Sequence, residues 1–453
     1  MSLDRKGVPE QPAGSVDDLV AHLRGGEKPP ERWRVGTEHE KIGLYADGLA
    51  PVPYEGERGI GRLLETVAER EAWESVREGG RVVALTGEGA SISLEPGGQL
   101  ELSGAPLRTI HDTCREFHRH LELVREVSEP LGIVWLSLGM NPIHEVADVP
   151  RMPRVRHDIM RDYLPSRGEL ALEMMHLTAT VQANFDYADE ADMVSKLRTA
   201  LGVSPVVSAV FANSSLAAGK PSRHVSRRVH IWRHTDPDRC GIPAFVFDEG
   251  FGYRRWVEWA LDVPMFFVVR DDRYEPMHGK PFRAFLEEGH RGRPATLADF
   301  DRHLTTLFPE VRLKRVIEVR GADAVPPELI CALPALWKGI LYDPGAREAV
   351  WRLVGGWSQE EREAALDAVA RGGLGAEIAG RSALDLAREV LALAGEGLGR
   401  IGHAGVLDPD ERGYLEPIAE QLAAGKSPGE VVLERWEGEW QRSPQRLIEY
   451  ARY

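Results

Sequence analysis

Along residues 177–187 polar and apolar side chains alternate almost without a break, and no other feature of this sequence narrows its fold as much. A β-strand sends successive side chains to opposite faces. Thr178, Thr180, Gln182, Asn184 and Asp186 therefore share one face, and Leu177, Ala179, Val181, Ala183, Phe185 and Tyr187 share the other. Residues 33–45 place Glu38 and Glu40 together with Gly36, with His39 on the opposite side. Residues 91–103 read as two short strands joined across Pro96, Gly97 and Gly98, the second of which sets Gln99 and Glu101 on one face. In residues 311–320, Val311, Leu313, Ile317 and Val319 face a core and leave Lys314, Glu318 and Arg320 on the other side. Four polar faces, each backed by an apolar one, predict an antiparallel sheet with its rear on a core and its front lined by functional groups.

A single polar strand face is ordinarily a solvated surface. These faces differ because they repeat carboxylates beside Gln, Asn and Thr rather than mixing Lys with Glu. Carboxylates gathered on a sheet repel one another unless something neutralises them. Hard divalent cations with oxygen ligands do so, Mg²⁺ bridging to phosphates being the commonest case. The period thus favours a metal–nucleotide site. The absent motifs point the same way. Gly219-Lys220 is followed by Pro221, so there is no P-loop, and no G-x-G-x-x-G follows a strand. H-E-x-x-H, C-x-x-C and G-x-S-x-G are missing too. Zinc hydrolysis, Rossmann redox chemistry and α/β-hydrolase chemistry are unsupported, and ATP would be held on a sheet through metals.

The chain has 453 residues, 43% of them hydrophobic, enough for one large catalytic unit or two to three domains. Its 56 basic and 71 acidic residues give a net charge of −15, which argues against nucleic acid and against an anionic membrane surface. Three cysteines exclude a disulfide framework of the secreted kind. No apolar run approaches the roughly 20 residues that span a bilayer; residues 206–212 suit a buried helix or strand. The N-terminal residues 1–18 lack an apolar signal region, so the expectation is a cytoplasmic enzyme, monomer or homodimer. Residues 1–30 read as a loosely held arm with a short helix over 15–23. Residues 31–344 read as a catalytic sheet-and-helix domain, and 345–453 as a helical C-terminal subdomain packed on it. Ser358 and Glu361 form a capping-box pattern, and further helices are predicted over 381–395, 411–424 and 427–441.

Several longer motifs resemble one family. Gly36-Thr-Glu-His-Glu-Lys41, Ser91-Ile-Ser-Leu-Glu-Pro-Gly-Gly-Gln-Leu-Glu-Leu-Ser-Gly-Ala-Pro106, Thr180-Val-Gln-Ala-Asn184, Phe308-Pro-Glu-Val-Arg-Leu-Lys314 and Arg320-Gly-Ala-Asp323 are similar, in order, to glutamate–cysteine ligases of the plant and proteobacterial type. The likeness runs from about Trp33 to the C-terminus. It implies an α+β fold, that of the glutamine synthetase-like carboxylate–amine ligases: a cupped antiparallel sheet with helices on its back and a helical C-terminal part. It also implies the reaction. ATP phosphorylates the γ-carboxylate of L-glutamate, and the amino group of L-cysteine attacks the acyl phosphate. Phosphoryl transfer of this kind asks a protein mainly for positioning and charge neutralisation.

The same resemblance implies residue roles. Glu38, Glu40, Glu101 and Glu318 would bind Mg²⁺, two ions or more, with Glu95 in the second acidic motif although the turn after it leaves its direction open. Arg320 would reach the transferred phosphoryl group with its planar fork, the alternative being an internal Glu318–Arg320 ion pair. Gln182 and Asn184 would line the nucleotide or metal shell, and Gln99 would assist. Arg156 and Arg228 would clamp the glutamate carboxylates, Arg228 being singled out by motif register from an island that also holds Arg223, Arg227 and Arg233. Trp232 would wall the pocket, and Phe266, where plant enzymes carry tyrosine, would lie near the acceptor. His39 reads as a packed histidine. Cys114 and Cys331 match cysteines that pair in plant relatives, while a cytosolic setting favours thiols. The plant enzymes' second, regulatory cysteine pair is not reproduced, Met277 standing at one of its positions. The rivals are a γ-glutamyl ligase with another amine acceptor, a ligase-derived binding protein, and a guanidino-phosphotransferase on a related sheet.

Overall fold

The computed structural model describes residues 10–404 and 410–453. Its organising element is strand β1 (Val35–Tyr45), whose eleven residues pair antiparallel with three other strands. The other strands of the main sheet are β2 (Glu74–Glu78), β3 (Arg81–Gly87), β4 (Ala90–Leu94), β5 (Leu100–Ser103), β6 (Ile133–Leu136), β7 (Val181–Phe185), β8 (Val311–Leu313) and β9 (Ile317–Val319). Their order is β8-β9-β7-β1-β5-β4-β3-β2, with β6 beside the far end of β1, and all neighbours run antiparallel. The alternation of residues 177–187 therefore delivers the predicted sheet, with two local differences. Leu177 closes the helix Ala171–Leu177, and Thr178 caps it by donating from Oγ1 to the Met174 carbonyl at 2.8 Å, so regular pairing begins only at Val181. Residues 311–320 form a hairpin rather than one strand, turned where the Lys314 amide donates to the Val316 carbonyl. Because the hairpin pairs Val311 with Val319 and Arg312 with Glu318, the expected faces survive the turn.

The rear of the sheet is sealed by helices. Glu190–Val210 is buried on nearly every side through its last three turns, which is where residues 206–212 belong. Asp189 caps its start by accepting from the Asp192 amide. All ten residues of Ala332–Leu341 are buried. One apolar core runs from Ala13 through Val35, Val181 and Leu313 to Leu422, so the C-terminal helices share it with the sheet. The Ser358–Glu361 capping box is present at the head of Gln359–Gly372, and helices Ala383–Ala404, Glu416–Ala424 and Pro428–Glu437 come after it.

Of the expected arm, residues 1–9 lie outside the described residues. The remainder, from residue 10 to residue 30, is fastened rather than loose. Ser15 caps the helix Val16–Arg24, which buries Leu19 and Leu23, and Lys28 Nζ sits 2.6 Å from Asp186. No helix among the described residues is long and apolar enough to cross a membrane.

Candidate active site

The front of the sheet gathers the acidic residues. Strand β1 presents Glu38 and Glu40 one strand period apart, and β5 sets Glu101 directly opposite Glu40. Glu95 comes just after β4 and enters the turn to β5, where the Glu95 amide donates to the Gln99 carbonyl and the Gly98 amide to the Glu95 carbonyl. A Cβ on Gly97 would lie 2.2 Å from the His176 carbonyl oxygen, so only glycine lets this turn lie flat on its neighbour. The result resolves the direction of Glu95: it lines the same cleft as Glu40. Gln99 lines the cleft too but is tied into the turn, accepting from the Gly97 amide and donating to the Thr178 carbonyl at 2.8 Å.

Burial of these carboxylates has an electrostatic consequence. Burial first, then the neighbouring Glu95 and Glu101, pushes Glu40 up to about 8. Burial, then Glu318 and Glu101, raises Glu38 as well. Glu38 Oε1 accepts from Asn184 at 2.9 Å, while its Oε2 is buried without a hydrogen-bond partner. An unsatisfied buried carboxylate oxygen among other carboxylates suits a hard divalent cation, so these residues fit Mg²⁺. Among the described residues, no three of these carboxylates bring one oxygen each within 4.8 Å of one another.

Glu318 departs from its expected place in that set. Arg312 Nη2 donates to both its oxygens at 2.7 and 2.9 Å, Lys314 Nζ lies at 2.5 Å and Arg320 Nη1 at 2.6 Å. Burial alone would raise Glu318, but Arg312, Lys314 and Arg320 together hold it well below the usual carboxylate range. The internal Glu318–Arg320 ion pair is thus present, together with Arg312 and Lys314. Arg312, buried and bidentate on Glu318, is a residue of this cluster that sequence reasoning missed. The hairpin period places it on the front face, and only its partner was not evident.

Arg320 also donates to Gln182 Oε1 at 2.8 Å, so Gln182 lines the cleft and steadies Arg320, while Asn184 steadies Glu38. Arg228 is buried, donates to the Arg320 carbonyl at 3.0 Å and faces Asp323 at 4.0 Å. Asp323 is in turn fixed by the Asn213 amide and the Ser214 and Ser226 hydroxyls. Both guanidiniums flank Trp232, Arg228 at 5.7 Å and Arg320 at 5.6 Å from its ring centre. The rest of the basic island is structural: Arg227 pairs with Glu173, and Arg233 with Glu363 and Asp367.

Glu40, Glu95, Arg228, Arg320 and Trp232 thus line one cleft of about 510 Å³, counted to its open mouth, together with Phe308 and the methionines Met160, Met174 and Met175. Of the expected site residues, Glu38, Glu101, Asn184, Glu318, Arg156 and Phe266 do not line it. Arg156 is buried beside the Phe267 ring at 5.6 Å. Phe266 is packed under the Arg239 guanidinium at 4.0 Å, with Phe308 between it and the cleft side at 6.4 Å. Phe308, not Phe266, supplies the aromatic wall, because Arg239 claims the Phe266 ring for the core. On the rear face His39 is fully buried, with Nδ1 2.8 Å from Lys41 Nζ, as a packed histidine should be. Cys114 and Cys331 are joined as a disulfide, their Cα atoms 5.6 Å apart.

The chain is 44% identical over 440 residues to the chloroplastic glutamate–cysteine ligase of Solanum lycopersicum, covering 96% of this chain and 82% of that one. It is 45% identical over 430 residues to chloroplastic glutamate–cysteine ligase B of Oryza sativa subsp. japonica, covering 94% and 85%. Among solved structures, a glutamate–cysteine ligase from Francisella tularensis in complex with AMP shares the fold, with a TM-score of 0.57 at 11% identity over 92% of this chain and 87% of that one. The chloroplastic relatives overturn the expectation of a cytoplasmic enzyme. That expectation rested on a missing apolar leader, and organelle-directing segments are amphipathic and Arg/Ser-rich, so the test was blind to them. The model of Glutamate-cysteine ligase family 2 (GCS2) matches residues 34–449, and the chain belongs to that family.

Proposed function

We propose that this protein joins the γ-carboxylate of L-glutamate to the amino group of L-cysteine through a γ-glutamyl phosphate, releasing γ-glutamylcysteine, ADP and phosphate. The observation that carries the reading is the gathering of two charge sets in one cleft: the carboxylates Glu40 and Glu95 with the guanidiniums Arg228 and Arg320. Bound Mg²⁺, at least two ions, offsets the triphosphate charge. Glu38, Glu40, Glu95 and Glu101 are the residues that would hold it. Arg320, steadied by Glu318 and Gln182, points its fork at the phosphoryl group in transit. Arg228 receives a glutamate carboxylate, its backbone fixed by Ser214 and its side chain kept in line by Asp323. Trp232, Phe308 and the methionines exclude water from the acyl phosphate, which would otherwise hydrolyse. Residues 31–344 supply this site and the helices after 345 brace it from behind.

Glutamate-dependent ADP release, measured with and without cysteine, tests the proposal. Cysteine-stimulated release with a product of the mass of γ-glutamylcysteine supports it. Release that depends on glutamate but responds to a different amine would transfer the assignment to another γ-glutamyl ligase.

A further inference from the structure

Away from the cleft, the helix Ile110–Ser128 carries Cys114 and, one turn later, His118. Cys331 meets them from the bend between the short helix Pro327–Ile330 and Ala332–Leu341. His118 Nδ1 lies 3.5 Å from Cys114 Sγ, and one ligand atom from each of the three residues falls within 4.8 Å of the others. Among the described residues this is the only His, Cys, Asp or Glu trio that closes so tightly. None of the three lines the cleft.

We propose that the dithiol form of this trio is a binding site for a thiophilic divalent cation, with Zn²⁺ as its occupant. Two molecules of a small thiol reduce the disulfide, leaving as their own disulfide and delivering two protons to Cys114 and Cys331. Zn²⁺ then displaces both thiol protons and takes a ring nitrogen of His118 as third ligand. The donor set suits the metal: two thiolates and an imidazole are borderline-soft ligands that select zinc over magnesium or calcium. The geometry suits it as well. With Zn–S near 2.3 Å, two thiolates on a tetrahedral ion stand roughly 3.8 Å apart, a modest opening for cysteines whose Cα atoms are 5.6 Å apart. Cys114 and His118 share a helix face by their spacing of four. His118 is exposed and Cys331 buried, which gives the ion an entry path and leaves its fourth position to water. The metal would restore the link between the helix Ile110–Ser128 and the start of Ala332–Leu341 that the disulfide makes in the oxidised chain.

Cobalt makes the site visible. The full chain is reduced with a phosphine, freed of reductant and titrated with Co²⁺ under argon. One equivalent should raise a thiolate-to-cobalt charge-transfer band and the strong visible bands of tetrahedral cobalt, and Zn²⁺ should bleach them. The oxidised chain should give neither, since carboxylate-bound cobalt has no sulfur band. His118→Ala retains both thiols and should weaken Co²⁺ binding by roughly tenfold or more, with an unchanged circular dichroism spectrum. A reduced chain without the sulfur band overturns the proposal. So does a band that survives in the Cys114→Ser, Cys331→Ser double variant, which would belong to Cys240, or full affinity in His118→Ala.

Discussion

Glu40→Gln is the most informative single change, because it removes a charge while keeping shape. Glu40 Oε2 accepts from the Thr180 amide at 3.1 Å, a contact that a glutamine oxygen can also make. Burial, Glu95 and Glu101 raise Glu40 from 4.5 to about 8. A carboxyl raised in the fold binds its proton more tightly when folded. Its stabilising contribution is therefore full below about pH 4.5 and is lost as pH climbs toward 8. At about 1.4 kcal/mol per pH unit, the metal-free protein should lose roughly 3–4 kcal/mol from this group between about pH 5 and pH 8. At about 2 cal/mol/K of unfolding entropy per residue, that is a fall of roughly 3–4 °C in Tm. Glu38 is raised too and persists in the variant, so part of the slope should remain. Calorimetry across that range in chelator, with and without added Mg²⁺, measures all of it. The wild type should show the steeper fall and recover with Mg²⁺; Glu40→Gln should be flatter, recover less, and have lost most ATP turnover. Parallel pH curves for the two proteins, or equal recovery with Mg²⁺, would refute both the burial of charge and its use as a metal ligand.

Arg228→Lys keeps the charge but not the fork; KM for glutamate should rise about ten- to hundredfold with KM for ATP little changed, and an equal loss of ATP affinity would place Arg228 on the nucleotide. Glu318→Gln leaves Arg312, Lys314 and Arg320 buried around a neutral amide, so metal-free stability should drop by about 3–5 kcal/mol. Unchanged stability with weakened Mg²⁺ dependence would instead return Glu318 to the metal set. In an equimolar amino-acid mixture with ATP, Mg²⁺ and glutamate, mass spectrometry should find γ-glutamylcysteine foremost, then the α-aminobutyrate product, then that of serine. An apolar pocket separates such near-isosteres by only about 1–3 kcal/mol.

Features legible in the sequence are those set by local period or local hydrogen bonding. Strand β1, the β4–β5 turn, the front-face carboxylates and the Ser358 cap all belong there, since each is decided within a few residues. The features that escaped the sequence depend on partners far along the chain. The alternation of residues 177–187 cannot reveal that Thr178 caps the helix before it. The face carrying Glu318 was plain, but not that three cations converge on it. Of Phe266 and Phe308, a sequence shows two aromatic residues, and only the position of Arg239 decides which ring the cleft receives. Arg156 rests on the family motif alone, and no local period shows that it packs beside Phe267.

Residues 38–41 read Glu, His, Glu, Lys, and all four are buried within one strand, acids forward and bases to the rear. A shift of β1 by a single residue against its neighbours would exchange the two faces entirely. Glu38 and Glu40 would then be driven toward Phe117, whose ring lies 4.8 Å from that of His39. That slip thus drives bare carboxylates onto aromatic carbon. The alternation of these four residues therefore works against the nearest wrong register of the sheet.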